Sequence, residues 1–287
     1  MADLHGKVCV VTGASRGVGK GIAIALGEMG ATVYVTGRSR PGSVSSALGG
    51  TVDDTVTEIT RRGGKGIAVA CDHGNDAEVA ELFSRVGKEQ GRIDILVSNA
   101  LAVPDGLTDP GPFWEKSLDL LGILRVGMRS HYVAAWHAAP LLVKAKGLLV
   151  FTSSFGGTCY MHGPAYGAGK AATDKMAHDM AVDFKPFGVA AVSLWLGLMK
   201  TERTLSVCAA EPEKYGAMLD AAESPEFPGR VIAALYADPE RERYSGQVQV
   251  GAELALHYGI TDVDGRQPPS HRPFLGDPPA FSAAVIE

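Results

Sequence analysis

Seven apolar runs punctuate the chain: KVCVVT (7–12), TVYVT (32–36), GIAVAC (66–71), IDILVS (93–98), GLLVFTS (147–153), VAAVSLW (189–195) and QVQV (247–250). Most are nearly continuous in hydrophobicity rather than alternating, which is the pattern of strands covered on both faces and hence of a parallel sheet. Between them lie stretches with helical spacing, at about 17–30, 51–62, 76–90, 113–144, 165–187 and 225–237. This β-α-β-α order predicts right-handed crossovers and an α/β fold, a Rossmann-type doubly wound parallel sheet of about seven strands with helices on both faces. Pro140 falls inside the fourth helical stretch and is expected to kink or end it. Residues 197–228 form a long insert, read as a lid, and the Pro- and Gly-rich residues 252–287 read as a tail with little regular structure. With no internal repeat and no second boundary, the expected organisation is one dinucleotide-binding domain over 1–251, lid included, with the tail packed on it.

The first strand-to-helix junction carries the first chemical signal. TGASRGVG places Gly13, Gly17 and Gly19 in a TGxxxGxG spacing, with Ser15, Arg16 and Val18 in the same loop. A dinucleotide needs glycine there, because the backbone turns sharply, main-chain N–H groups approach the pyrophosphate and the helix packs close to the strand. The helix start adds its partial positive charge. The second strand ends VTGRSR, which offers no carboxylate for the ribose hydroxyls but does offer Arg38, near Arg16. Two guanidinium groups suit a 2′-phosphate, so the expected cofactor is NADP(H) in preference to NAD(H). The alternative is a pair of solvated arginines. Asp72, after the third strand, is placed either to contact adenine or to cap the next helix.

Composition removes several classes of function. The 287 residues are 46% hydrophobic and 21% charged, as in a soluble protein with a substantial core. A net charge of −5 argues against nucleic acid. No apolar run reaches the roughly 18–20 residues of a membrane span, and MADLHGKVCVVTG lacks the features of a signal peptide. Cys9, Cys71, Cys159 and Cys208 are too dispersed for a zinc knuckle, so no metal is expected and the thiols read as those of a reduced, cytoplasmic protein.

PAYGAGKAA (164–172) sets Tyr166 four residues before Lys170. On a helix the two share a face. A nearby ammonium would lower the phenol from its ordinary pKa near 10, as a proton donor to a forming alkoxide requires. Lys170 can also reach the nicotinamide ribose.

TGASRGVG, SNA after the fourth strand, TSS after the fifth and YGAGK together resemble the short-chain dehydrogenase/reductase family over almost the whole chain, and FWE, GMRSHY, YMHGPAYGAGKAATDK and HYGITDVDGR resemble one subgroup of it. The resemblance implies an NADP(H)-linked carbonyl reductase or alcohol dehydrogenase. Its spacing selects Ser153, 13 positions before Tyr166, as the donor to the substrate oxygen, with Ser154 as the neighbouring alternative. It further implies that Asn99 and Ala100 hold the fourth strand's end near the cofactor and that Thr201 bonds the nicotinamide carboxamide. The fourth and fifth helices would form a homodimer or homotetramer interface. Three departures stand out: Leu101 replaces the last glycine of NNAG, Leu196-Gly197 replaces Pro-Gly, and Gly127 replaces the asparagine that organises a proton-relay water. Asn75 and Asn99 are the only asparagines, so none nearby substitutes.

The substrate is expected between loops 101–112 and 154–163 and the insert. These supply Leu101, Val103, Phe155, Tyr160, Met161, His162, Leu198, Met199 and Leu205, with Trp195 at the sixth strand's end. That mainly apolar set predicts a small hydrophobic carbonyl or alcohol. The competing reading, motivated by Gly127, is a catalytically weak NADP(H)-binding sensor or scaffold.

Overall fold

The computed structural model describes residues 2–43, 47–216 and 218–286. The seven apolar runs form strands β1 (Val8–Val11), β2 (Thr32–Gly37), β3 (Lys65–Ala70), β4 (Ile95–Ser98), β5 (Leu148–Ser153), β6 (Ala190–Trp195) and β7 (Val248–Val250). They pair in parallel in the order β3-β2-β1-β4-β5-β6-β7. Strand order therefore reverses at β1, where Val10 pairs with Tyr34 on one side and Leu96 on the other. A cleft at the carboxyl ends of the strands flanking such a reversal is where this architecture takes its ligands. Strands β1, β4, β5 and β6 are buried at every position, which is why their sequences run apolar instead of alternating.

Helices α1 (Gly17–Glu28), α2 (Val52–Arg61) and α3 (Asp76–Gln90) fall where their spacing predicts. Thr51 and Asp54 make a reciprocal capping box on α2, and Asn75 caps α3. The single helix expected over 113–144 does not form. Phe113–Glu115 is a 3₁₀ turn, and Leu118–Leu121 is another that runs into a single helical turn at Gly122–Leu124; Phe113, Trp114 and Leu118 are exposed, so no packed face drives a continuous helix there. The chain then breaks at Val126 (φ −116°, ψ 99°) and Gly127 (φ 136°), and α4 begins only at Ser130–Ala145. Pro140 lies inside α4 and does not end it. Pro140 and Trp136, one turn earlier, both lie on the exposed face of α4, where solvent can reach the carbonyl left without its N–H.

Helix α5 (Pro164–Phe184) carries the Tyr–Lys pair, α6 (Glu202–Ala210) opens the insert, and α7 (Phe227–Ala237) packs on α1. The tail is more regular than expected. Its first residues form α8 (Gly251–Tyr258), because Leu254 and Ala255 are buried and Gly259 ends the helix in a left-handed turn. Arg272 and Ser270 then bond Glu253 at 2.7 Å, and Phe281 stacks on His178 of α5.

Candidate active site

At the strand reversal lies a cleft of about 970 Å³ lined by Gly13, Ser15, Arg16, Gly17, Val18, Gly19, Arg38, Asp72, Asn99, Ala100, Tyr166, Lys170 and Thr201. Every residue expected from the sequence to meet the cofactor is in that set. The glycine turn is shaped by close approach: a Cβ on Gly13 would stand 2.7 Å from the Ala100 Cα, and one on Gly19 would stand 2.4 Å from Asn99 Nδ2. Asn99 ties three strand ends together. Its amide nitrogen Nδ2 donates to Thr12 O at 2.9 Å, its backbone N–H donates to Thr12 Oγ1 at 2.8 Å, and its Oδ1 accepts from Thr152 Oγ1 at 3.3 Å. The turn thus presents backbone at a helix start beside an open cleft, and a dinucleotide pyrophosphate fits it.

The charged rim has more members than the sequence revealed. Arg16 is engaged with the adjoining loop, donating to Gly49 O (2.6 Å), Gly50 O (3.1 Å) and Ser39 Oγ (2.8 Å), while Arg38 is exposed at the rim. Burial holds Arg16 below the ordinary guanidinium range, opposed by the nearby Glu202. Glu202 is the residue that motif reasoning missed: its carboxylate accepts from the Gly17 N–H at 2.9 Å, on the start of α1. Asp72 does not cap α3, since Asn75 does; its Oδ1 accepts from Gly74 N at 2.9 Å. Thr201 lines the cleft and also caps α6 through Thr204 N (3.2 Å).

The residues expected to handle the proton lie together in the cleft, with Ser154 rather than Ser153 against the phenol. Ser154 Oγ lies 2.9 Å from the Tyr166 hydroxyl. Ser153, which the family spacing selects, is buried and directs its hydroxyl to Lys170 O at 3.5 Å, beneath α5. Strand alternation explains the exchange, since consecutive residues of β5 address opposite faces, and only the residue past the strand end reaches the phenol. Lys170 is buried, and its ammonium donates to Thr152 O at 3.2 Å, 5.7 Å from the Tyr166 ring centre. Burial pushes Lys170 down to about 8, opposed by Asp174. Burial also raises Tyr166, opposed by its hydrogen bond with the Ser154 hydroxyl.

Asp174 continues the Tyr166–Lys170 stripe one turn further and was legible as a third i+4 step. It is buried and accepts from Ser193 Oγ (2.6 Å) and Trp195 Nε1 (3.0 Å). Trp195 and Phe155, expected in the substrate pocket, are core instead: both are buried, with ring centres 4.8 Å apart. Leu101, Val103 and Met199 do line the cleft, joined by Pro104, Val126 and Val207, whereas Tyr160, Met161, His162, Leu198 and Leu205 do not. His162 packs edge-on against the Tyr166 ring at 5.1 Å. Cys159, half-buried in the same turn, donates its N–H to Phe155 O at 2.9 Å.

The base of the insert closes on one residue. Glu223 N donates to Leu198 O (2.7 Å), Lys200 N donates to Glu223 O (2.8 Å) and Gly197 N donates to Glu223 Oε1 (3.2 Å). Burial, with Asp262 nearby, pushes the Glu223 carboxyl up to about 8.

The short chain dehydrogenase family matches residues 7–211. The chain belongs to that family. Dehydrogenase/reductase SDR family member 1 of Mus musculus is 42% identical over 278 residues, covering 93% of this chain and 86% of that protein. Its Homo sapiens counterpart is 40% identical over 277 residues, covering 92% and 86%. This places the short-chain dehydrogenase in the subgroup of those proteins. A metagenomic short-chain oxidoreductase solved with NADP superposes with a TM-score of 0.65 at 26% identity, covering 83% of this chain and 93% of that one. Hydroxysteroid dehydrogenase from Escherichia coli superposes with a TM-score of 0.70 at 25% identity, covering 86% and 96%. Fold, family and cleft agree on an oxidoreductase of the nicotinamide-dinucleotide type. Among the described residues no helix is long and apolar enough to cross a membrane.

Proposed function

We propose that the protein interconverts a hydrophobic carbonyl compound and its alcohol with NADP(H), using Tyr166 as general acid and base. The observation that carries the reading is the Ser154–Tyr166 contact of 2.9 Å at the mouth of the glycine-lined cleft, with Lys170 buried one turn along. NADP(H), when bound, supplies or accepts the hydride. Tyr166 delivers the proton to the forming alkoxide and takes it back in the reverse direction. Ser154, in place of Ser153, donates a hydrogen bond to the same oxygen, where negative charge develops. Lys170 holds positive charge beside the phenol and steadies the phenolate formed when the proton leaves.

Arg38 supports NADP(H) over NAD(H), because a guanidinium stands where a carboxylate would otherwise bind ribose hydroxyls; the NADP-bound structural relative is consistent with this. Leu101, Val103, Pro104, Val126, Met199 and Val207 on the cleft wall support an apolar substrate. Exposed Tyr132 and Trp136 on α4 and Val182 on α5 support a homodimer through these helices, which size-exclusion chromatography with light scattering tests. The free thiols fit a cytoplasmic setting. The test of the whole reading is a panel of aromatic aldehydes, ketones and steroid ketones with NADPH. Tyr166→Phe should abolish turnover while leaving NADPH affinity, read by fluorescence titration, nearly unchanged. Turnover that survives Tyr166→Phe refutes the acid–base assignment, and a panel with no turnover in the wild type favours the sensor reading that Gly127 motivates.

A further inference from the structure

His131 is buried at 2% exposure near the inner end of the site, and nothing above uses it. Its Nε2 lies 3.0 Å from Ala100 O. A carbonyl oxygen carries no proton, so Nε2 must be the protonated nitrogen of the neutral ring. Burial, reinforced by the charge of Lys170, holds the ring's pKa at about 3, which keeps it neutral in working conditions. Its Nδ1 is therefore a bare lone pair, and among the described residues no donor reaches it. A buried acceptor left in that state costs free energy unless a donor serves it.

The neighbouring donor has capacity to spare. The Lys170 ammonium has three N–H groups, and Thr152 O is the acceptor it reaches, at 3.2 Å. The Asp174 oxygens nearby are already engaged by Ser193 and Trp195. The local backbone excludes the simplest alternative acceptor. Gly127, one turn before His131, has φ 136°, a backbone conformation that residues with side chains rarely adopt, and it offers no side-chain acceptor. Ser130 is already bonded to Gly127 N at 3.1 Å. The Gly127 carbonyl accepts from Thr173 Oγ1 at 3.3 Å, which fastens this segment to the helix that carries Lys170.

We infer that His131 is a positioning residue for Lys170: its Nδ1 lone pair accepts a hydrogen bond passed from the Lys170 ammonium through one water. The ring stays neutral throughout, and the water is held between two fixed groups, with one hydrogen toward Nδ1 and its oxygen toward the ammonium. The Tyr166–Lys170 pair is thereby connected to an interior acceptor, and the geometry does not need a side chain at Gly127. This inference rests on the acid–base reading of Tyr166 given above.

Two isosteric replacements separate this role from a structural one. Asn places its carboxamide oxygen where Nδ1 stands, whereas Gln places its carboxamide at the level of Nε2 and keeps the Ala100 contact. With the carbonyl turned over best in the panel, His131→Gln should lose about tenfold to a hundredfold in kcat at nearly unchanged NADPH affinity. His131→Asn should retain at least about ten times more kcat than His131→Gln. Equal values, or the reverse order, overturn the inference and assign His131 to holding Ala100. A readout independent of turnover is the ¹⁵N resonance of His131 Nδ1. It should move between the wild type and Lys170→Met, and an unmoved resonance overturns the inference as well. Tyr166→Phe run alongside keeps the two failures apart: if it stays active the acid–base reading falls, whereas if it is dead while His131→Gln is fully active only the role of His131 falls.

Discussion

Replacing Glu223 by Gln isolates one buried carboxyl at the base of the insert. The side chain is 1% exposed and its Oε1 accepts from Gly197 N, a contact the Gln amide oxygen preserves. Its pKa stands at about 8, against an ordinary 4.5, so the folded protein holds this proton more tightly than the unfolded chain does. The stabilisation from that preference is complete below pH 4.5 and is lost as pH rises through about 8. At about 1.4 kcal/mol per pH unit, the interval corresponds to an upper bound of roughly 5 kcal/mol. For a chain of this size that is roughly 10 °C in Tm. Gln carries no such proton, so wild type and Glu223→Gln should melt together near pH 5, and the variant should melt higher at pH 9. Calorimetry across that range reads the difference, and limited proteolysis within 201–222 should show the wild-type insert opening sooner at pH 9. A Tm difference that stays constant from pH 5 to pH 9 refutes the argument, because it would mean the carboxyl ionises as easily folded as unfolded.

Arg38→Ala should cut the preference for NADPH over NADH by about tenfold or more, whereas Arg16→Ala should weaken both, since Arg16 holds the adjoining loop; fluorescence titration with each nucleotide distinguishes the two. Glu202→Ala should tighten NADPH binding by about threefold to tenfold, because the native carboxylate occupies the Gly17 N–H that a pyrophosphate would take; unchanged affinity would place the carboxylate outside the phosphate path. Asp174→Leu should destabilise by about 2–5 kcal/mol by leaving the Ser193 hydroxyl and Trp195 indole N–H buried without an acceptor, measured by urea denaturation; a loss within about 0.5 kcal/mol would refute it.

The sheet was legible because its strands are buried on both faces, and continuous runs such as LLVFTS have few other readings. The glycine turn was legible because steric need restricts it to one residue type. The segment 113–129 was not, because helical spacing describes a face but not whether anything packs against it, and Trp114 and Leu118 meet solvent. Motif spacing pointed to Ser153 while Ser154 contacts the phenol, because a spacing counts residues, whereas the hydroxyl that reaches Tyr166 is the one the chain turns toward it past the strand end. Phe155 and Trp195 looked like pocket walls for a similar reason: aromatic character near a strand end does not reveal whether the ring turns inward. Glu202 and His131 were invisible to motif logic because their partners, Gly17 N and Ala100 O, are backbone atoms far away in sequence.

The four thiols differ sharply in access. Cys9 and Cys208 are buried, and burial pushes Cys71 up to about 12, whereas Cys159 alone is partly open. Cys159 lies in the turn between Ser154 and Tyr166, held by the Phe155 carbonyl. An alkylating fluorophore applied to the native protein should therefore settle at one place, beside the Ser154 and Tyr166 hydroxyls. Its emission would report the arrival of the carbonyl substrate proposed above in real time, without engineering any residue, and would let candidate substrates be screened by occupancy before a single turnover is measured.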